Sequence, residues 1–381
     1  TQHQHPGAER AIADCVEMVM KRILERVGEP EAIVLTGSFG RAEGGVTQDE
    51  AGLYYPVNDI DFIVVDRRNL RNELLRLSEE LAREIGSDYI DIGYSDGRWQ
   101  DLSLTIFNYD LKHGSRVIYG DTTILDRIPA YCEAEIPVFE SVNLLLNRTA
   151  GVLTGLRGDY LNGHVLSLDE GRYLTNQIVK AYVAIGDYYL VSWQGYDSSY
   201  RNRKERFSWL AGGADIPLDL IDHVVKAYEH KLHPDYSCQW NSVQAVRELT
   251  DFLIPVLLKA IHKLVGHNSA DLPSAMDAFL TTMSANPGWV NEDNNYCTQN
   301  PVLGPDIIGL PASNLSFRFV LYSVLPLLLA AGVDRDEANL LIDTIIKKLS
   351  NCYRAPKLRS SYIEDWERLR SDVIRWWFAL S

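Results

Sequence analysis

The N-terminal third of the chain alternates between amphipathic helices and short apolar strands. Apolar residues recur at helical spacing over residues 10–27 and from Leu70 to Ile85, which predicts two helices. Short apolar runs predict strands at residues 33–36, 59–65, 89–94, 102–107 and 116–119. We expect the helix over residues 10–27 to cover the resulting sheet, and this part of the chain to close near residue 135.

From about residue 138 the strand pattern ends and helical spacing dominates. The predicted helices start at the apolar positions Val142, Leu145, Leu146 and Ala150 and continue at 170–193, 217–231, 240–266, 334–349 and 362–379. Stretches 194–205 and 284–315 are rich in Asn, Gly, Pro and Ser, which predicts loops. The expected fold class is α+β, with a mixed sheet flanked by helices in residues 1–136 and an all-α helical bundle in residues 137–381.

The second of these loops is long enough to form the rim of a binding site. Its candidate pocket residues are Trp289, Asn291, Asn294, Asn295 and Tyr296. A solvated surface loop of the same composition is the alternative, and both interpretations stay open.

Charge and hydropathy narrow the classes of partner. The 381 residues carry a formal net charge of −15, whereas sequence-independent binding of nucleic acid needs clustered Lys and Arg. An extended nucleic-acid surface is therefore not expected. No apolar stretch reaches the roughly 18 residues of a membrane span. Residues 319–331 contain Ser323 and Pro326 and fit a buried helix better.

The five cysteines are scattered without C-x-x-C spacing, so neither a zinc site nor a disulfide framework is indicated. The N-terminal residues lack the basic and apolar regions of a signal peptide. Both observations lead us to expect a cytoplasmic protein.

The first feature that carries chemistry is a Gly-Ser turn at the end of the first strand. Residues 33–36 deliver the chain to Gly37 and Ser38, where backbone N–H groups and a hydroxyl can face an anion, helped by a following helix start. Such a turn suits a triphosphate. The serine-hydrolase elbow needs Gly where Thr36 stands, and no Gly-Lys-Ser/Thr follows to make a Walker loop.

Asp59, Ile60 and Asp61 open the next strand. Because side chains alternate along a strand, both carboxylates lie on one face and Ile60 lies on the other. Two neighbouring hard oxygen ligands suit Mg²⁺ or Mn²⁺. Residues 46–57, between the turn and this strand, are either an inserted loop over the site or an excursion with no role in it.

A third acidic residue follows one helix later. Asp91 stands between Ile90 and Ile92, and a carboxylate in an apolar strand is costly unless it is paired or bound to a metal. Asp91 is therefore the preferred third metal ligand, and an acid that points to solvent from an edge strand is the alternative. The other candidates for this role are Asp88, Asp96, Asp101 and Asp110.

Together these residues resemble the nucleotidyltransferase superfamily typified by DNA polymerase β. Its signature is Gly-Ser, a short helix, Asp-x-Asp and a third acid on a later strand. The matching positions are Gly37, Ser38, Gly40, Arg41, Glu43, Asp59 and Asp61. The layout is most similar to two-domain bacterial members that modify antibiotics or synthesise oligonucleotides, although residues 46–57 make the gap longer than in the smallest members. The resemblance implies an N-terminal nucleotidyltransferase domain before the helical domain.

The resemblance also implies an activity. A nucleoside monophosphate would pass from an NTP to a hydroxyl of a small-molecule acceptor, with two divalent ions and release of pyrophosphate. Asp59 and Asp61 are expected to hold both ions, and Asp91 to complete the site of the ion that activates the acceptor. Arg41 is expected either to contact a phosphate or to pair with Glu43.

The outgoing β and γ phosphates would lie against Gly37 and Ser38. A basic segment of the sequence offers further contacts. The predicted helix that holds Lys180 leads into this segment, residues 195–204, which includes Tyr200. The resemblance implies that Lys180 and Tyr200 face the triphosphate. A solvated helix end with cations near its C-terminus is the alternative.

Two other functions stay open. One is synthesis of cyclic or linear oligonucleotides, as in bacterial defence nucleotidyltransferases with the same two-part layout. The other is a nucleotide-binding or toxin-neutralising module without catalysis, which the intact Ser38, Asp59 and Asp61 weaken.

Overall fold

The computed structural model describes residues 1, 5–48, 51–57, 59–85, 90–236, 240, 242–285, 316–350 and 361–380. Its strands are β1 (Ala32–Thr36), β2 (Val46–Gln48), β3 (Tyr54–Pro56), β4 (Ile60–Val65), β5 (Ile90–Ser95) and β6 (Arg116–Gly120). Its helices are α1 (Pro6–Val27), α2 (Gly37–Gly40), α3 (Arg71–Ile85), α4 (Ile106–Gly114), α5 (Val138–Gly155), α6 (Gly158–Leu161), α7 (Leu168–Ser192), α8 (Tyr200–Ala211), α9 (Leu218–Leu232), α10 (Val243–Val265), α11 (Leu272–Ser284), α12 (Phe317–Val333), α13 (Ala338–Leu349) and α14 (Tyr362–Leu380). The predicted α+β class is confirmed.

Four strands form one mixed sheet in the order β5-β4-β1-β6. β1 is antiparallel to β4 and β6, whereas β4 and β5 are parallel. One face of the sheet, which includes Phe62 and Val64, packs against apolar side chains of α1 and α3. α1 contributes Ile12, Val19 and Ile23 to this core, so its predicted role as a cover is confirmed.

Residues 46–57 contain a hairpin rather than an open loop. β2 and β3 are antiparallel, with Thr47 opposite Tyr55. The ring of Tyr54 lies 5.2 Å from that of His5, at the start of α1. Val46 is buried in the core beneath α1 and α3. The described part of this insertion is therefore packed on the helix-covered side of the sheet.

The strand predicted at residues 102–107 is wrong. These residues leave a short 3₁₀ helix, Trp99–Asp101, and enter α4 at Ile106. The Thr105 hydroxyl accepts a hydrogen bond from the N–H of Asn108 at 2.9 Å and caps the helix. The alternation of apolar and polar residues imitates a strand here, but the cap decides the local structure. The other four predicted strands are confirmed to within one residue.

The chain divides into two compact units that do not follow a single cut in the sequence. The first unit contains residues 1–140 and 189–235, and the second contains residues 141–188 and 236–381. The predicted division at residues 136 and 137 does not separate these units, because segment 189–235 returns to the first one.

The loop predicted at residues 194–205 ends earlier than expected. The Ser199 hydroxyl accepts a hydrogen bond from the N–H of Asn202 at 3.2 Å, and α8 begins at the next residue, Tyr200. The sequence pattern hides this start because Tyr200 is followed by polar residues and cations rather than by an apolar face. The first unit therefore holds two helices, α8 and α9, from the return segment.

In the second unit, the described regular elements are helices. α12 is buried almost throughout, as expected of residues 319–331. The indole N–H of Trp366 in α14 donates to the carbonyl of Leu328 in α12 at 2.7 Å. Among the residues that the structure describes, no helix has the length and apolar character needed to cross a membrane. Residues 286–315, with the five candidate pocket residues of the long loop, lie outside the described residues.

Candidate functional site

Acidic residues lie on one face of the sheet, where β4 and β5 begin. Asp61 and Asp91 are in register across the parallel β4–β5 pair, so both side chains leave the sheet on the same face. This face is opposite to the one that α1 and α3 cover, because the alternate residues Ile60 and Phe62 point into that core. The charge of Asp59 acts on both other carboxyl groups. The structure thus places Asp61 and Asp91 on one face, with Asp59 near enough for its charge to act on both.

Burial and neighbouring negative charge raise the proton affinity of Asp61 and Asp91. Burial, together with the charges of Asp59 and Asp91, raises the pKa of Asp61 to about 7. Asp91 is exposed on the edge strand β5, and desolvation by its neighbours together with the charge of Asp59 raises its pKa as well. Arg41 and Lys231 lower the pKa of Asp61, but by less. Without a cation, ionising all three carboxyl groups therefore costs free energy.

Gly37 lies directly against Asp61. Its φ of +63° favours glycine, and a β-carbon built on it would stand 1.9 Å from Oδ2 of Asp61. At Gly40 a β-carbon would stand 2.7 Å from the carbonyl oxygen of Leu35. Both positions therefore need glycine. The predicted phosphate turn and the acidic face are in contact at Gly37.

Ser38 is buried in this turn, with 8% of its surface exposed. Its carbonyl oxygen accepts a hydrogen bond from the N–H of Glu43 at 2.8 Å, which closes the loop after the turn. α2 has four residues, too few for a sizeable helix dipole. The expected help from a helix start is therefore small, and the backbone N–H groups and the Ser38 hydroxyl are the groups that can bind an anion.

The donor set fits a hard divalent cation. Three carboxylates supply oxygen ligands, and the raised pKa of Asp61 reports a negative site in need of a counter-charge. Among the described residues, no group of three or more His, Cys, Asp or Glu side chains is close enough to hold a metal ion as it stands.

Arg41 lies at the edge of the acidic face. Its Nε is 3.5 Å from Oε2 of Glu43, and its Nη1 is 3.7 Å from Oδ2 of Asp110. Its side chain is 9% exposed, and within the described residues its Nε has no hydrogen-bond partner. The sequence suggested that Arg41 either contacts a phosphate or pairs with Glu43, and the structure shows a long ion pair between Arg41 and Glu43. The other interpretation, a contact between Arg41 and a phosphate, stays a prediction.

Tyr200 is surrounded by cations. The guanidinium carbon of Arg41 lies 4.9 Å from the centre of its ring and that of Arg203 lies 4.3 Å away. The Nζ of Lys231, at the end of α9, lies 5.7 Å from the same centre. Because Arg41 and Lys231 also act on Asp61, this group of Arg41, Tyr200, Arg203 and Lys231, here called the basic cluster, adjoins the acidic face.

Sequence reasoning missed Lys231, and it included Arg203 in residues 195–204 without choosing it as a site residue. Tyr200 and Arg203 are three residues apart and therefore neighbours on one face of α8, a signal that the loop prediction concealed. The sequence around Lys231 does not indicate that it lies near Tyr200, because this proximity depends on how α9 packs on α8.

The alternative third acids occupy other environments. Asp110 accepts a hydrogen bond from the Tyr196 hydroxyl at 3.2 Å and lies 3.7 Å from both Arg41 and Arg203. Asp96 pairs with Arg98 at 2.7 Å. Asp101 is an exposed residue of the 3₁₀ helix, and Asp88 lies outside the described residues. Asp91 alone among these candidates is both described and in register with Asp61.

Lys180 and Tyr200 belong to different units. Lys180 lies in the part of α7 that belongs to the second unit, whereas Tyr200 begins α8 in the first. The predicted helix around Lys180 is confirmed, and its contact with a triphosphate stays a prediction.

Comparison with known proteins gives no match for this chain among protein-family models, curated proteins or solved structures.

Proposed function

We propose that this chain is a divalent-metal-dependent nucleotidyltransferase that moves a nucleoside monophosphate from an NTP to a hydroxyl of a small-molecule acceptor. The observation that carries the proposal is the contact between Gly37 and Asp61. It sets the Gly-Ser turn against a face that also holds Asp91, with the charge of Asp59 acting on Asp61. The basic cluster beside Asp61 adds to it.

The charges across this site suit a triphosphate with its metal ions. Backbone N–H groups at Gly37 and the Ser38 hydroxyl would hold the β and γ phosphates, and the Arg41 guanidinium would add positive charge beside them. Lys231 and Arg203 add positive charge around Tyr200. Asp59, Asp61 and Asp91 would hold two Mg²⁺ or Mn²⁺ ions, which supply charge neutralisation and activation of the acceptor hydroxyl when bound.

The transfer forms one bond and breaks one. The acceptor oxygen bonds to the α phosphorus, and the bond from that phosphorus to the bridging oxygen of the β phosphate breaks, so pyrophosphate leaves. Asp91 would accept the proton of the acceptor hydroxyl. The turn at Gly37 and Ser38 stabilises the charge that builds up on the pyrophosphate.

The formal charge of −15 favours a small acceptor over a long nucleic acid. An acidic surface repels a polyphosphate backbone, whereas a small or cationic acceptor meets no such barrier.

The test is release of pyrophosphate from mixed NTPs by the purified chain, with Mg²⁺, with Mn²⁺ and with EDTA. We expect metal-dependent release in the presence of suitable acceptors, with Asp61→Asn lowering the rate by at least a thousandfold because it removes a ligand of both ions. Asp96→Asn is the matched control, since it neutralises an exposed acid on a neighbouring loop.

Mass spectrometry of the products separates the alternatives. A nucleotidylated small molecule supports the proposal, and cyclic or linear oligonucleotides formed without an acceptor would show the second activity. Nucleotide binding with no release of pyrophosphate under any of these conditions would show a module without catalysis.

A further inference from the structure

Glu43 joins the loop after the Gly-Ser turn to the first residues of α8. The side chain is buried, with 5% of its surface exposed. It accepts hydrogen bonds from the Ser199 hydroxyl at 2.6 Å and from the N–H groups of Tyr200 at 2.8 Å and Arg201 at 3.2 Å. Its own N–H donates to the carbonyl of Ser38. One residue thus binds the turn on one side and α8 on the other.

This arrangement is more than a helix cap. The Ser199 hydroxyl already caps α8 by accepting from the N–H of Asn202. A buried carboxylate is costly unless it is well bonded, and Glu43 is satisfied chiefly by a segment that lies more than 150 residues away in the sequence. Such an interaction fixes the position of one segment relative to another.

The segments that Glu43 joins carry three residues of the basic cluster. Arg41 precedes it by two residues and Tyr200 is one of its direct partners, and the Arg41 guanidinium lies over the Tyr200 ring. Arg203 follows one turn later on α8, 4.3 Å from the same ring. If Glu43 released α8, Tyr200 and Arg203 would lose their fixed distance from Arg41 and from the turn.

We propose that Glu43 is a positioning residue that holds Tyr200 and Arg203 of α8 against the Gly-Ser turn, so that the site binds the triphosphate of its substrate in one geometry. This inference rests on the proposed function. It assigns to Glu43 no contact with substrate, and it predicts an effect on substrate affinity rather than on the chemical step.

The experiment compares Glu43→Gln with Glu205→Gln. The second variant makes the same chemical change on the exposed side of α8 and serves as the control. An amide would set its N–H₂ group against backbone donors, so Glu43→Gln should raise the KM for NTP about ten- to hundredfold while kcat changes less than threefold. A loss of folded protein would lower kcat and leave KM unchanged, which separates positioning from general damage.

Hydrogen exchange of the peptide that spans residues 197–206 gives a readout independent of activity. In the wild type the amides of Tyr200 and Arg201 should be protected, and in Glu43→Gln this protection should fall at least tenfold while Glu205→Gln keeps it. Ser199→Ala, which removes one of the three contacts together with the cap of α8, should raise KM by a smaller factor and covers the case in which Glu43→Gln does not fold.

Unchanged exchange in Glu43→Gln, or an unchanged KM with reduced kcat, would overturn the role of Glu43. Absence of NTP turnover in the wild type would instead refute the proposed function, and the exchange data would still decide whether Glu43 holds α8.

Discussion

Asp61 is a side chain whose ionisation is unfavourable for the folded chain and which the proposed function would use as a metal ligand. It sits against Gly37, beside two further acids, with its pKa raised to about 7. The sequence predicted the residue and its strand face, because alternation along β4 is strict. It could not predict the degree of burial or the contact with Gly37, which depend on how the turn after β1 meets β4.

Asp61→Asn should stabilise the metal-free protein at alkaline pH. The folded-state pKa of about 7 lies above the ordinary value of 3.8, so the folded state holds the proton more tightly and loses stability as pH rises between these values. Asparagine does not ionise. The variant should therefore be more stable than the wild type by on the order of a few kcal/mol at pH 8 in EDTA, and should match it below about pH 4.

Chemical denaturation at the two pH values measures this difference. Asp96→Asn, which neutralises an exposed, ion-paired acid, should gain no stability at pH 8. Equal or lower stability of Asp61→Asn at pH 8 would contradict the electrostatic description of the acidic face.

At the scale of elements, the strands and long helices follow from periodicity, whereas the short elements around the site do not. β1, β4 and β5 lie where apolar runs predicted them. α4 and the start of α8 were misjudged because their caps, Thr105 and Ser199, lie in segments whose composition imitates a strand or a loop. Both of these helices contribute residues near Arg41, because α4 provides Asp110 and α8 provides Tyr200 and Arg203 of the basic cluster.

The packing of the β1 turn on β4 can be tested with Gly37→Ala. The added methyl would stand 1.9 Å from Oδ2 of Asp61 at a backbone φ of +63°, so the turn or the carboxylate must move. We expect a loss of about 1–3 kcal/mol in stability and at least a hundredfold fall in the rate of pyrophosphate release, since a displacement of about 1 Å can cost that much.

Gly213→Ala is the control for this substitution, because no atom lies within 4 Å of a β-carbon built there. Thermal unfolding and initial rates on the same preparations separate the two effects. Wild-type rates in Gly37→Ala would show that the turn and Asp61 do not act together.

At the scale of the whole molecule, the sequence indicated an α+β part followed by helices, and it could not indicate the return of residues 189–235 to the first unit. Helical periodicity reports which face of a helix is buried, but not the partner against which it is buried. Lys231 and Arg203 reach Tyr200 and Arg41 through this return, so part of the candidate site depends on packing between segments that are distant in sequence.

The most direct test of the central claim is anomalous diffraction from crystals of the chain grown with Mn²⁺ and a non-hydrolysable NTP. We predict Mn²⁺ peaks bound to Asp59, Asp61 and Asp91, with the β and γ phosphates against Gly37 and Ser38 and within reach of Arg41. Mn²⁺ and nucleotide bound elsewhere on the chain, with these carboxylates empty, would contradict the assignment of the acidic face as the catalytic site.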